Sequence, residues 1–280
     1  MLIVTFHPIV RRPSSIRRPS SIVRRLKDMD LNCDMGEGYG PWRMGRDAEI
    51  MPFITSANVA CGAHAGDPNV MAATVRLARE HGVSVGAHPG YPDLNGFGRR
   101  AMPLDPAEVE RWVLYQIGAL YAIARAEGVD LSHVKPHGAL YNSAAKQRSL
   151  ADSIARAVRA FSRDLPLYCP PGSEMHLAAS DLEVKVIREG FADRAYEPNG
   201  SLTDRSLPES VHTSPERAAQ QALQFAEGWV QCRDGSRLMI EIDSICVHSD
   251  TPGAPEIVRA VRAAFEDKGI NIASPANHGK

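Results

Sequence analysis

Four of the ten histidines lie where a short apolar segment gives way to a polar or glycine-rich one: His64, His88, His137 and His248. Charged residues follow the same kind of segment, and these are Asp34, Glu37, Lys135, Asp193 and Arg194. Imidazoles and carboxylates in one pocket can act as general acids and bases, and a lysine or arginine can stabilise an oxyanion or a phosphate. We therefore predict that these nine residues form one catalytic site.

Two kinds of chemistry are open to this set. Asp34, His64 and His137 could hold a divalent metal, because two imidazoles and one carboxylate leave coordination positions free for water. The spacings HxxxH and HxH, which often mark such sites, do not occur among these residues. A site without metal would use Asp34 or Glu37 as the general base and a histidine as the acid.

A glycine-rich segment, "GYPDLNGFGRR" at residues 90–100, is a candidate anion site. Its backbone N–H groups could surround a phosphate, and Arg99 and Arg100 would add positive charge, together with Lys135. The alternative interpretation is an ordinary mobile loop. The sequence contains no G-x-x-x-x-G-K-[ST] motif, so any nucleotide site would not be a P-loop.

Short apolar segments alternate with helical patterns from Met29 onward. The predicted strands span residues 30–34, 56–61, 83–88, 133–138, 165–170, 184–190 and 244–249. The predicted helices span 45–54, 67–82, 105–128, 143–162, 172–180, 214–230 and 254–269. Asp67-Pro68, Asp105-Pro106 and Ser214-Pro215 have the composition of helix starts. A long loop is predicted at 191–213, and a hairpin around Asp234-Gly235.

This alternation predicts a parallel sheet that is buried on both faces. Seven or eight strand–helix units in one domain favour a closed or nearly closed (β/α) barrel, and a doubly wound open sheet is the alternative. In both architectures ligands bind beyond the carboxyl ends of the strands. The candidate residues follow predicted strands, so the barrel would bring them to one mouth.

Composition bounds the class of protein. The chain has 280 residues and a net charge of −1, which does not indicate a nucleic-acid partner, and no apolar segment approaches the roughly 20 residues of a membrane span. Five scattered cysteines indicate reduced thiols in a cytoplasmic protein. Residues 1–28 carry seven basic residues and one acidic residue, and we predict a disordered extension before a single catalytic barrel at 29–280.

Six segments resemble the signature blocks of the LamB/YcsF family. They are "DLNCDMGEGYG" (30–40), "ANVACGAHAGDP" (57–68), "GAHPGYPD" (86–93), "VKPHGALYN" (134–142), "FADRAY" (191–196) and "CVHSD" (246–250). They occur in order and span nearly all of the chain after Met29. Two positions depart from the family pattern, Ala63 in place of an aromatic residue and Ser249 in place of glycine, and neither removes a titratable group.

The resemblance implies more than the spacing does. It implies a distorted, TIM-like, seven-stranded (β/α) barrel of the glycoside hydrolase/deacetylase type. It implies the A component of a three-component 5-oxoprolinase, which hydrolyses 5-oxo-L-proline to L-glutamate with ATP and releases ADP and phosphate. The B and C subunits are expected as partners. Deacetylase-like relatives bind metal through a strand-1 aspartate and later histidines, which supports Asp34, His64 and His137 as candidate ligands.

Two other functions are compatible with the same residues. One is a metal-dependent amidohydrolase or deacetylase that acts without partners. The other is a barrel without catalytic activity that binds a small acid and regulates a partner. A requirement for ATP and partner subunits separates the first function from these two.

Overall fold

Seven parallel strands close into a barrel in the computed structural model of the chain, which describes residues 28–275. The barrel strands are β1 (Asp30–Met35), β2 (Ser56–Ala60), β3 (Ser84–His88), β4 (Leu131–Val134), β5 (Leu167–Cys169), β6 (Val186–Phe191) and β9 (Ser244–Val247). β9 pairs with both β6 and β1, so the sheet has no free edge. The closed-barrel prediction is confirmed, and the open doubly wound sheet is excluded. The predicted basic extension lies outside the described residues, apart from Asp28.

Helices cover the outside of the barrel. They are α1 (Asp47–Ile50), α2 (Pro68–Glu80), α3 (Pro106–Ala126), α4 (Gly138–Ala144), α5 (Arg148–Phe161), α6 (Glu174–Asp181), α7 (Pro215–Ala226) and α8 (Ala254–Asp267), with a 3-10 turn at Met51–Phe53. The predicted starts are confirmed, because Asp67, Asp105 and Ser214 each accept a backbone N–H of the following helix. None of the helices within 28–275 is both long and apolar enough to cross a membrane.

Several predicted boundaries differ from the structure, such as the helix expected at 214–230, which ends at Ala226. Two of the differences have a local physical cause. The helix expected at 143–162 is divided into α4 and α5, because Gln147 adopts an extended backbone between them. The strand expected at 133–138 ends at Val134, because Pro136 has no N–H to donate to the neighbouring strand. The backbone beyond Val134 stays close to β3, since Lys135 donates to the carbonyl of Ala87.

The segment between β6 and β9 lies outside the closed sheet. It contains the long loop that the sequence predicts, then α7, then an antiparallel hairpin of β7 (Trp229–Gln231) and β8 (Arg237–Met239). The hairpin prediction around Asp234-Gly235 is confirmed. Because β6 and β9 pair directly, this insertion does not interrupt the barrel.

The amino-terminal end of the barrel is closed by a buried carboxylate. Asp30 accepts hydrogen bonds from Thr55, Ser56 and Tyr168 at 2.7–2.8 Å, and from Ser244. Burial raises the pKa of Asp30, and the four hydroxyl donors act in the opposite direction. These bonds tie β1 to residues at β2, β5 and β9, so the far end of the barrel is left as the place for a ligand.

The middle of the barrel is filled by polar side chains in one hydrogen-bonded chain. The His133 Nε2 donates to the Asn58 Oδ1 at 2.7 Å, and the Asn58 amide donates to Asn32 and Asp34. Gly86 on the adjacent strand makes room for the imidazole, because a Cβ there would lie 2.1 Å from the His133 Nε2. This series of hydrogen bonds leads directly from the barrel core to the residues at the mouth.

Gly86→Ala is expected to destabilise the protein by about 3 kcal/mol, because the methyl group overlaps the His133 ring in a packed interior. Gly118→Ala is the matched control. Gly118 lies within α3 with open space around its Cβ position, and alanine there is expected to stabilise the helix by about 0.5–1 kcal/mol. Urea denaturation measures both changes. Equal stability of the two variants would contradict the packing described for β3.

Candidate active site

The carboxyl ends of the barrel strands open into a cavity of about 610 Å³. Seven of the residues predicted for the site line it: Asp34, His88, Arg99, Lys135, His137, Arg194 and His248. Glu37, His64 and Asp193 are buried directly behind this wall, in contact with the lining histidines. Arg100 is the predicted residue that the structure does not bring to the cavity.

Lys135 is the centre of the cavity floor. Its Nζ lies 2.8 Å from the Asp34 Oδ1, 2.9 Å from the Glu189 Oε1 and 3.0 Å from the Cys246 Sγ. Burial alone would lower the pKa of Lys135, but Asp34, Cys246 and Glu189 raise it well above its ordinary value. Burial likewise opposes ionisation of Asp34, but His88 and Lys135 hold its pKa well below the usual range. At neutral pH the floor of the cavity therefore contains the Lys135 ammonium, which lies between the carboxylates of Asp34 and Glu189.

Backbone carbonyls fix the orientation of two histidines. The His88 Nδ1 lies 2.7 Å from the Lys135 carbonyl oxygen, and the His137 Nε2 lies 2.8 Å from the Phe97 carbonyl oxygen. Since a carbonyl only accepts, each of these nitrogens carries a hydrogen. The remaining nitrogens, His88 Nε2 and His137 Nδ1, face each other at 3.0 Å. In the neutral rings both of these atoms present lone pairs.

Glu37 and His64 complete this histidine cluster. The Glu37 Oε1 lies 3.3 Å from the His137 Nδ1 and 3.5 Å from the His64 Nε2. The His64 ring stacks on the His137 ring with centroids 3.8 Å apart and planes within 1°. The Glu37 Oε1 and both nitrogens of His64 are buried without a hydrogen-bond partner. Burial and the nearby Asp34 charge raise the pKa of Glu37 well above its ordinary value.

The loop that follows β3 packs over this cluster. Phe97 has a φ of 54° in the left-handed region, and its ring meets the His64 and His137 rings edge-on. Gly98 follows at φ 62°, where a Cβ would lie 2.8 Å from both the His64 Cβ and the His137 Cδ2. The strained backbone at Phe97 places the carbonyl that orients His137.

The donor set suits a divalent metal, and two of the three expected ligands, His64 and His137, belong to the group that converges. The geometry groups Glu37, rather than Asp34, with His64, His88 and His137, and the ligand atoms of these four residues lie within 4.8 Å of one another. The Asp34 Oδ1 instead accepts from Lys135 and from Asn58 at 2.9 Å. The sequence could not show this, because Asp34 and Glu37 are three residues apart and both follow β1.

A third histidine, His248, is oriented by a carboxylate instead of a carbonyl. The Asp193 carboxylate lies 2.9 Å from the His248 Nδ1 and also accepts from the Thr251 hydroxyl at 2.7 Å. Burial opposes its ionisation, but His248 and Thr251 lower the pKa of Asp193 to about 2. The His248 Nδ1 therefore carries the hydrogen, and its Nε2 is free for a ligand in the cavity.

Arg194 brings a positive charge to the cavity without a carboxylate partner in the described part of the chain. Its Nε and Nη2 donate to the carbonyl oxygens of Ser210 and Thr203 at 3.2 and 2.6 Å. Burial and the nearby Arg205 lower its pKa to about 10, so it stays charged at neutral pH. Arg99 differs, because it forms an ion pair with Asp250 at 2.7 Å. Arg194 is thus better placed than Arg99 for an anionic ligand.

The glycine-rich loop at 90–100 does not offer a ring of free N–H groups. The amides of Gly90 and Gly96 donate to the side chains of Gln116 and Asp93, and the Gly98 amide donates to the Asp93 carbonyl. Arg100 forms an ion pair with Asp93 and its side chain is 66% exposed. These backbone donors are therefore already used in hydrogen bonds within the protein. The contribution of the loop to the site is to orient His137 through the Phe97 carbonyl.

The predicted set of site residues leaves out several residues of the cavity, although Glu189 lies at the end of a predicted strand. Glu189 and Tyr141 line it, and the Glu189 Oε2 and the Tyr141 hydroxyl are buried without a well-formed hydrogen bond. Asn58 connects the core to Asp34. A usable signal existed for Glu189 and Asn58, because a polar residue inside a strand buried on both faces needs a partner. Tyr141 carries no such signal, since a tyrosine in a helix is ordinary.

Comparison with known proteins places this barrel among a defined set of relatives. The model of the LamB/YcsF family matches residues 29–280. A protein from Symbiobacterium thermophilum, named as the A component of 5-oxoprolinase, is 53% identical over 251 residues, which are 89% of this chain and 96% of that protein. A protein of the same name from Pyrococcus furiosus is 48% identical over 245 residues, 87% of this chain and 96% of that protein.

Solved structures give the same picture of the fold. The crystal structure of the lactam utilization protein from Thermus thermophilus superposes with a TM-score of 0.85 and 50% identity, over 88% of this chain and 99% of that one. A putative cellobiose-phosphate cleavage protein from Enterococcus faecalis has a TM-score of 0.50 and 16% identity, over 89% and 97% of the two chains. The second likeness shows the fold alone.

Lys135→Met is expected to lower the free energy of unfolding by about 3–5 kcal/mol, because it leaves Asp34 and Glu189 buried without their cation. Adding Glu189→Gln should recover part of this loss by removing one unpaired charge. The control is Lys185→Met, which breaks an exposed pair with Asp164 and should change stability by about 0.5 kcal/mol or less. Urea denaturation at pH 7 measures all three. A double variant less stable than Lys135→Met would contradict the role given to Lys135.

Proposed function

Because the chain belongs to the LamB/YcsF family, we propose that it is the A component of a 5-oxoprolinase, which opens the lactam ring of 5-oxo-L-proline to give L-glutamate. The relatives that carry this name cover nearly the whole chain, and the related crystal structure is named for lactam utilization. We further propose that the reaction consumes ATP and needs the B and C subunits as partners.

One observation carries this proposal from the site itself. The cavity has a charged arginine without a carboxylate partner on one wall, and a carboxylate-oriented histidine on the same side of the barrel mouth. 5-Oxoproline is a small acid with a lactam, so it needs a cation for its carboxylate and an acid–base group at its ring. A cavity of about 610 Å³ accommodates this substrate and a phosphoryl group together.

Each group has a role in this proposal. Arg194 binds the substrate carboxylate through a charge-assisted hydrogen bond. His248 takes a proton from the attacking water at Nε2, and Asp193 holds the ring in the required tautomer and stabilises the imidazolium. The ammonium of Lys135 faces the carbonyl end of the lactam, where negative charge develops in the transition state.

ATP explains how a poor electrophile reacts. Amide resonance makes a five-membered lactam unreactive, and transfer of a phosphoryl group from ATP to the lactam oxygen creates a good leaving group. Water then attacks the ring carbon and the C–N bond breaks, so that the ring nitrogen leaves as the amine and a γ-glutamyl phosphate remains. A second water displaces the phosphate, and the products are glutamate, ADP and phosphate. Of the residues expected to contact the phosphates, Arg99 and Lys135 line the cavity, and Arg100 does not.

A stand-alone metal-dependent amidohydrolase is the second candidate, and the cluster of Glu37, His64, His88 and His137 favours it. The two functions differ in what they require. The full chain is incubated with 5-oxoproline, with and without ATP and with and without co-purified partner subunits, and glutamate is quantified. Glutamate formed only with ATP and partners supports the proposal. Turnover by the chain alone without ATP supports the second candidate and overturns the proposal. Substrate binding without turnover under every condition also overturns the proposal.

Arg194→Gln is expected to raise the KM for 5-oxoproline by about 10- to 100-fold, because a hydrogen bond to a charged group contributes about 1.5–3 kcal/mol. The matched control is Arg125→Gln, an arginine on α3 that pairs with Asp130 and has a 55% exposed side chain. Its KM should stay within about 2-fold of the unaltered protein. Steady-state kinetics of the assembled enzyme test both. An unchanged KM in Arg194→Gln would remove Arg194 from the substrate site.

A further inference from the structure

We infer that Glu37, His88 and His137 form a binding site for one divalent transition-metal ion, and that His64 is a neighbour of this site rather than a ligand. The expectation from the sequence named Asp34, His64 and His137. The proposal therefore differs from it in two of the three residues.

The first argument is the direction of the lone pairs. The outer nitrogens of His88 and His137 donate to backbone carbonyls, so their inner nitrogens face each other as acceptors at 3.0 Å. In its ionised form Glu37 adds its Oε1 as a third acceptor beside them, and this atom has no hydrogen-bond partner. Three acceptors that meet without a donor repel one another, and a cation at their centre removes this repulsion. Histidines that bind metals usually donate their second N–H in this way.

The second argument is distance. The His88 Nε2 and His137 Nδ1 are 3.0 Å apart, and the Glu37 Oε1 lies 3.3 Å from the His137 Nδ1 and 4.0 Å from the His88 Nε2. The circle through the corners of this triangle has a radius of about 2.0 Å, so one point is that far from all three atoms. Zinc binds imidazole nitrogen and carboxylate oxygen at about 2.0–2.2 Å. The separations of the three atoms therefore already match these lengths.

His64 is excluded as a ligand by its plane. The lone pairs of an imidazole lie in the plane of its ring, and the His64 and His137 rings are stacked with parallel planes. A cation in the plane of His137 would therefore lie well above the plane of His64. The His64 Nε2 lies 3.5 Å from the Glu37 Oε1, so His64 is a buried neighbour of the metal site.

Asp34 also approaches the site, because its Oδ2 lies 3.4 Å from the His88 Nε2, but the Lys135 ammonium already neutralises this carboxylate. It groups with Cys246 and His248 in a second set of ligand atoms, but the Lys135 ammonium lies 2.8 Å from Asp34 and 3.0 Å from Cys246. A metal beside this ammonium would be repelled. The mouth of the barrel thus has one place for a lysine and a different place for a metal, with Asp34 and Glu37 divided between them.

The ligand set indicates the class of metal. Two imidazoles and one carboxylate suit Zn²⁺, Co²⁺, Fe²⁺ or Ni²⁺, whereas Ca²⁺ and Mg²⁺ prefer oxygen ligands throughout. The inference does not depend on the proposed substrate. Metal binding is measured on the full chain without ATP, partners or 5-oxoproline, so its failure would leave the proposed hydrolase function untouched.

Titration of the chelator-treated full chain with Co²⁺, followed by the visible absorption of the bound ion, tests the site, with Zn²⁺ competition as a second readout. One equivalent is expected to bind. Glu37→Gln, which keeps the shape of the side chain, and His137→Asn should each weaken binding by at least about 100-fold, since even residues behind the ligands usually contribute 10- to 100-fold. Circular dichroism and thermal denaturation check that each variant folds.

Two variants at neighbouring positions serve as matched controls. Asp34→Asn and His64→Asn change a carboxylate and an imidazole beside the same cluster, and each should weaken Co²⁺ binding at least about 10-fold less than Glu37→Gln. The proposal is overturned if the folded chain takes up neither Co²⁺ nor Zn²⁺ stoichiometrically. It is also overturned if Asp34→Asn or His64→Asn loses as much affinity as Glu37→Gln, because a different ligand set would then hold the ion.

Discussion

The ammonium of Lys135 is the interaction on which the interior of this barrel depends. A parallel barrel is ordinarily filled by apolar side chains, yet here the upper half of the interior contains carboxylates, amides and an imidazole. Buried carboxylates are tolerated when a cation and hydrogen bonds accompany them, and Lys135 supplies the cation to Asp34 and Glu189 at once. Asn32 bridges the same group, because its amide donates to the Glu189 Oε1 at 3.0 Å.

Around this centre the mouth of the barrel is divided by what each carboxylate faces. Asp34 faces Lys135, Glu37 faces the histidines, and Asp193 faces His248. The backbone then fixes the histidines, through the carbonyls that follow β4 and within the loop after β3. One cavity therefore contains an ammonium, a set of converging acceptors and a separate acid–base pair, and Asp34 lies between the first two, 2.8 Å from the Lys135 Nζ and 3.4 Å from the His88 Nε2. Arg194 adds a cation held by carbonyl oxygens, whose charge remains available to a ligand.

Much of this arrangement could be predicted from the sequence, for a physical reason. Alternating strands and helices in a parallel barrel place every strand end at one mouth, so the position of a residue just after a strand is enough to bring it there. The caps at Asp67 and Asp105 follow from local hydrogen bonding and were equally accessible. What the sequence could not provide is the pairing of groups three residues apart, such as Asp34 and Glu37, because that depends on where Lys135 extends. Arg100 shows the same limit of prediction from sequence, because its neighbour Arg99 lines the cavity whereas Arg100 does not.

The direct pairing of β9 with both β1 and β6 has a consequence for how the chain becomes a barrel. The strand that completes the sheet, Ser244–Val247, is made after more than two hundred residues of the chain it must join. Until it arrives, β1 and β6 are open edges with unpaired N–H and C=O groups, which are templates for pairing with other chains. Such non-local closure is slow, so a nascent or truncated chain would be prone to aggregation until the barrel closes. The pairing of β9 with β1 and β6 thus completes the barrel during folding, and β9 also forms part of the wall of the site.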